Sequence, residues 1–281
     1  MTEPGHTLEF LSMRLTERDM AIICDVHDHQ TLTTHQIERM YFADADERRA
    51  RRRLLVLHRH GVLDRFRKYS KHGTLPDHWV LAPLGAELLA LHRDVQVSEL
   101  GFRRDQAMRL RYSAQLEHIR GLAESYVCFV EAARGPGELV RWYGERECAR
   151  RWGAHIRPDA YVRWLQEERA LHAFVEYDTG TESLARLRYK MTGYANLARH
   201  STLPSIVLFA VHSEQRAEHL EAKLAGDVTD MVAAYVTTHA RLADPGPDRS
   251  VWRAVGCRDT GDRWRLTDIA HRHDFSGRGA G

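Results

Sequence analysis

Apolar positions in the first third of the chain recur at three- and four-residue intervals, in stretches too short for one long helix. Leu15, Met20, Ile23 and Val26 share one helical face up to about residue 28. Thr16, with Asp19 three places on, supplies an N-cap. Thr33 or Thr34 opens a second short helix holding Ile37, Met40 and Tyr41, and a third carries Ala50, Leu54 and Leu57 until Gly61 stops it. Two strand-like runs then flank a basic turn containing Gly73 and Pro76, and a last helix covers "LGAELLALH". Three helices and a hairpin in this order predict a winged helix-turn-helix over residues 13–95.

Residues 96–107 are polar and predict a linker, with the second domain spanning 108–265. There the pattern predicts a long helix ending near Gly135, strands in "ELVRWYGE", "DAYVRWL" and "LHAFVEY", and a helix in "TESLARLRYKMTGYANLARH". A strand, a helix and a final strand follow. That alternation predicts a mixed α/β layer with helices over the sheet, so the whole chain is expected to be α/β (α+β). Residues 266–281 are expected to form a flexible tail.

Composition adds limits. Hydrophobic residues make up 43% and charged residues 28%, a folded globular balance. Cys24, Cys128, Cys148 and Cys257 are far apart and form no CxxC pair, which fits a reducing cytoplasm better than a zinc ribbon or a disulfide framework. No apolar run is long enough for a membrane span, and no secretory leader is expected.

The net charge is only +2, so affinity for a polyanion must come from local clusters. One cluster is Arg48, Arg49, Arg51, Arg52 and Arg53, on the third helix and away from its apolar stripe. A second is Arg65, Arg67, Lys68 and Lys71 on the hairpin. These are the elements that approach a duplex in a winged helix, so double-stranded DNA is the expected partner.

In the second domain, alternation puts Phe174, Glu176 and Asp178 on one face of a strand, while Asp159 heads the preceding one. Lys190 lies beside the buried stripe of the following helix, close enough for its ammonium to emerge near these acids. Asp159 and Glu176 are the candidate metal ligands, with Asp159, Glu176, Asp178 and Lys190 as candidate catalytic residues. Mg²⁺ or Mn²⁺ is the expected ion, since hard cations prefer carboxylate oxygens and polarise phosphate esters. The alternative for Glu176 and Asp178 is an ion pair with Arg186 or Lys190. Tyr194 reads as core. Strings such as "HDH" at 27–29 do not match the metal motif of tyrosine relaxases.

"PD" at 158–159 and "ExD" at 176–178, with the order of elements, resemble the PD-(D/E)XK nuclease fold, which implies a restriction-endonuclease-like domain. The usual lysine position holds Asp178, so either Lys190 serves from the helix, as in some branches of that fold, or the site is altered or inactive. Across about residues 13–260 the chain also resembles the replication-relaxation family of plasmid and mobile-element proteins, through "LTERDMAII", "LTTHQIERMYF", "RRRLLVLHRHGVLDRF" and "FVEYDTGTESLARLRYKMTGY". That implies a protein acting on plasmid or mobile-element DNA: an endonuclease or nickase aimed by its winged helix, or else a regulator with an inactive nuclease-like domain. Replication or transfer proteins are then candidate partners. A homodimer would suit double-strand cleavage.

Overall fold

A computed structural model describes residues 15–44, 47–68, 75–201, 205–257 and 262–273. The chain divides into two compact units, residues 1–123 and 124–281.

The first unit begins with α1 (Glu17–Asp28), β1 (Leu32–Thr33), α2 (Thr34–Tyr41) and α3 (Glu47–Arg59). It continues with β2 (Leu63–Phe66), β3 (His78–Leu81) and α4 (Pro83–Arg93). The strands form an antiparallel sheet in the order β1-β3-β2. Helices start where the sequence predicts. Thr16 caps α1 by accepting the Asp19 N–H and donates its own N–H to the Asp19 carboxylate, and Thr33 and Gln36 repeat that exchange at α2. Ile22, Ile23, Val26, Leu54 and Trp79 meet in one buried core. Asp19 is buried, and its carboxylate also accepts from Arg53 of α3, at 2.7 Å from Nε.

The connector differs from the linker predicted for 96–107. It folds into a 3₁₀ turn at Val97–Leu100 and α5 (Arg104–Arg109), because Val95, Leu100 and Phe102 pack onto the first core. Irregular spacing hides those anchors in the sequence. Met108, Leu110 and Leu116 likewise pack around Phe66 and Val80, so the units divide within α6 (Leu116–Ala132) and not at residue 108.

The second unit holds β4 (Glu138–Gly144), α7 (Glu145–Trp152), β5 (Ala160–Gln166), β6 (Arg169–Asp178), α8 (Leu184–Ser201) and β7 (Ser205–Val211). It ends with α9 (Glu214–Leu224), β8 (Val232–Thr238), α10 (His239–Ala243), β9 (Arg253–Ala254) and α11 (Leu266–Arg272). Six strands make a mixed sheet in the order β4-β5-β6-β7-β8-β9. β4, β5 and β6 are antiparallel neighbours, whereas β6, β7 and β8 run parallel, joined by α8 and α9. Buried parallel strands are apolar along their whole length, as "SIVLFAV" of β7 shows.

Three helices of the second unit, α7, α10 and α11, escape the sequence pattern. In α7 charged residues outnumber its apolar anchors, of which Cys148 is buried and Trp152 half-buried. α11 occupies part of the predicted flexible tail, because Leu266, Ile269 and Ala270 form a short buried stripe. Residues 274–281 of that tail lie outside the described residues. Among the described residues no helix is long and apolar enough to cross a membrane.

The Asp19–Arg53 contact joins α1 to α3, so it should govern the stability of the first unit. Arg53→Ala leaves a buried carboxylate without its cation and is expected to cost about 2–3 kcal/mol, the low end for a partly exposed partner. Thr16→Ala, which removes the cap, is expected to cost about 1 kcal/mol. Urea unfolding of the full chain measures both.

Candidate functional site

β6 is an inner strand, and Glu176 lies on it opposite Phe209 of β7, beneath α8. α8 sends two side chains to this carboxylate. Lys190 Nζ donates to Glu176 Oε2 at 2.5 Å, and the Tyr194 hydroxyl donates to Oε1. The two donors are four residues apart, one helical turn, and so share a face. Lys190 Nζ also lies 3.6 Å from Asp159 Oδ1 and 3.7 Å from Glu182 Oε2. One ammonium therefore reaches both predicted acids.

Asp159 is held from the other side, where its Oδ2 accepts the Tyr177 N–H at 2.8 Å. That bond fixes the residue at the head of β5 against β6. Gly193 lets α8 come close enough: a Cβ there would stand 2.9 Å from the His155 carbonyl oxygen, in the loop leading to Asp159. A glycine inside a helix costs about 1 kcal/mol relative to alanine. Here it sets the approach of Lys190 and Tyr194 to the strands.

The electrostatics follow from burial. Glu176 is 1% exposed. Burial, and after it the charge of Asp159, pushes its carboxyl up to about 8, against the opposing pull of Lys190 and Tyr194. Burial alone would lower the Lys190 ammonium, but Glu176 and Asp159 carry it above its ordinary value. Burial and the same two acids raise the thiol of Cys148, which places that cysteine within their field.

Asp178 does not join this group. Its carboxylate accepts from Arg216 Nε of α9 at 2.6 Å and from the Gly180 N–H at 2.9 Å. The ion pair is thus with Arg216, while Arg186 pairs with Glu182 at 2.7 Å. Nothing in the local sequence points to Arg216, which is 38 residues downstream. Tyr194, read from its spacing as core, is buried as expected but also bonds Glu176. Among the described residues no group of three or more His, Cys, Asp or Glu is arranged to hold a metal ion.

Several basic residues of the first unit are paired with acids. Arg53 is engaged with Asp19, Arg65 and Arg67 share Asp77 at 3.2 and 2.6 Å, and Lys68 lies 3.5 Å from Glu117. These acids offset part of their charge, with Glu117 also pairing with Arg120 at 3.0 Å. Arg48, Arg49, Arg51 and Arg52 are exposed on α3, and Arg49 and Arg52 line an open cleft of about 770 Å³ with Arg18 and Phe42. Lys71 lies outside the described residues.

The raised Glu176 carboxyl has a consequence for stability. Between about pH 5 and 8 the unfolded chain has already released this proton while the folded chain keeps it, so its contribution makes stability fall as pH rises. The raised Lys190 ammonium adds nothing in that window, since it stays protonated in both states. Urea midpoints across pH 5 to 8 should therefore fall more steeply in wild type than in Glu176→Gln; parallel curves would show no such retained proton.

No curated protein and no solved structure matches the chain. The family model for replication-relaxation matches residues 24–205, from α1 to the start of β7. With α3, Asp159, Glu176 and Lys190 all inside the matched span, the chain belongs to the replication-relaxation family.

Proposed function

We propose that the chain binds duplex DNA through α3 and hydrolyses a phosphodiester bond at Asp159, Glu176 and Lys190. Membership in the replication-relaxation family suggests a role in replication or in the processing of mobile-element DNA. The observation that carries the hydrolytic reading is the single Lys190 ammonium in reach of both Glu176 and Asp159. Three helices and a hairpin, with exposed arginines on the third helix, support the winged-helix reading of the first unit.

The donor set fits a hard divalent cation. Asp159 and Glu176 both present carboxylate oxygens to one ammonium, and hard divalent cations take oxygen donors of this kind. These two residues would hold Mg²⁺ or Mn²⁺, which when bound would polarise the phosphate and lower the pKa of water. Lys190 would stabilise charge developing on the phosphate oxygens, and Tyr194 would orient Glu176. Asp178 acts by anchoring: with Arg216 and the Gly180 N–H it fixes the turn after β6. Cytoplasmic plasmid or mobile-element DNA is the proposed substrate. Replication or transfer proteins would be partners, and two copies would be needed to cut both strands at once.

A second reading has its own support. Both Glu176 oxygens already have donors, so the centre is satisfied as a structural ion pair, and the chain would then be a DNA-binding regulator without catalysis. Plasmid nicking in Mg²⁺ or Mn²⁺ separates the two. The hydrolytic reading expects nicking that is lost in Glu176→Ala with duplex binding retained, and slowed on the order of 100-fold in Lys190→Ala. The regulatory reading expects no nicking by any form.

The α3 contact has a separate test. Arg49→Ala with Arg52→Ala should weaken duplex binding and flatten the slope of log K against log salt by about 1.8, two phosphate contacts' worth of counterions. An unchanged slope would remove these arginines from the interface.

A further inference from the structure

The sheet face that carries Glu176 extends beyond the helices covering it. Cross-strand register builds it in rows. Asp159, heading β5, and Glu176 make the acidic end. One step along, Tyr143, Tyr161 and Phe174 lie side by side on β4, β5 and β6. A further step brings Arg141 opposite Arg163, and Arg163 opposite His172. Successive rows on one face are about 7 Å apart, near the spacing of phosphates along an extended nucleic-acid strand.

α7 covers part of the aromatic row. Trp152 packs on Tyr161 and Phe174 at 5.1 and 5.0 Å between ring centroids, and Arg151 sits 4.3 Å above the Tyr143 ring. The basic row lies past that helix, with Arg141, Arg163 and His172 all exposed. His172 is braced by the Tyr161 hydroxyl at 2.6 Å.

Two arginines directly opposite each other on neighbouring strands repel, and such pairs destabilise a sheet. Among the described residues neither Arg141 nor Arg163 is in an ion pair, and Glu147 of α7 is already taken by Arg150 and Arg151 at 2.6 and 2.5 Å. The positive charge of this row has no counterion within the described protein. A polyanion would supply one. Beside the arginines, Tyr143 and Tyr161 remain half-exposed under Arg151 and Trp152 and offer aromatic edges as well as charge, which suits an unpaired strand, whose bases can turn toward them, better than a duplex.

We propose that the Arg141–Arg163–His172 row, with the flanking Tyr143 and Tyr161, is a track for single-stranded DNA that leads a strand to Asp159 and Glu176. This deepens the DNA-processing reading above and rests on it.

The test uses the full chain in a metal-free buffer, with a fluorescent single-stranded oligonucleotide and a duplex of the same sequence, across a salt series. Arg141→Ala with Arg163→Ala should lower single-strand affinity on the order of tenfold and flatten its salt slope by about 1.4, leaving duplex affinity within about twofold. Arg49→Ala with Arg52→Ala should do the reverse. Arg163→Glu, which places a carboxylate opposite Arg141, should weaken single-strand binding while raising or preserving the urea midpoint, so lost binding cannot be laid to misfolding. Single-strand binding unchanged in both track variants overturns the proposal, as does an equal fall for both probes. The nicking assay is independent of these measurements. A chain that nicks but shows no track dependence loses only the track, and one with track dependence but no nicking loses only the hydrolytic reading.

Discussion

The second unit depends on how a carboxylate can be kept inside a sheet. Glu176 sits on an inner strand, where an isolated charge would be expelled or neutralised. α8 delivers a cation and a hydroxyl, one turn apart, to its two oxygens, and burial still raises its carboxyl, so the group is held in place without having to remain charged. That requirement fixes the helix as much as the acid. α8 must cross β6 with Lys190 and Tyr194 facing down, and Gly193 on the same helix provides the clearance against the 155–156 loop. Asp159 is drawn in as well, since its bond to the Tyr177 N–H ties the head of β5 to β6 directly beside the ammonium.

The same constraint explains why Asp178 parts company with Glu176. Both project from one face of β6, but two more residues along the strand lie about 7 Å away. At that distance α9, not α8, supplies the partner, and Arg216 takes the carboxylate. β6 thus carries two charged groups near its carboxyl end, each matched to a different crossover helix. Of these two, the group under α8 gathers several acids around one cation.

What the chain revealed before folding tracks the range of each interaction. Caps are local, so Thr16 with Asp19 and Thr33 with Gln36 were readable from three-residue spacings. Alternation placed Glu176 and Asp178 on one face, and helical geometry allowed Lys190 to reach back to Glu176. Partners set by packing were not readable. Arg216 reaches Asp178 across 38 residues, and Arg53 reaches Asp19 across 34, so an arginine that looked free to meet DNA is committed to the fold. α7 and α11 were hidden for another reason: each needs only two or three apolar anchors, because the sheet beside it supplies the rest of the buried surface.

Neutralisation is a sharper guide to function in this chain than charge itself. The hairpin is as basic in sequence as α3, but among its described residues Arg65, Arg67 and Lys68 are each paired with Asp77 or Glu117, so part of that charge is offset within the fold. On the sheet face the opposite holds, where Arg141 and Arg163 face one another without an acid between them. A fold selected for stability alone would relieve that repulsion with one substitution, since a glutamate at either position would turn a repulsive cross-strand pair into an attractive one. The pair makes physical sense when the missing counter-charge arrives on a ligand, and the nearest chemistry along the same face is the one centre where two acids and a lysine converge.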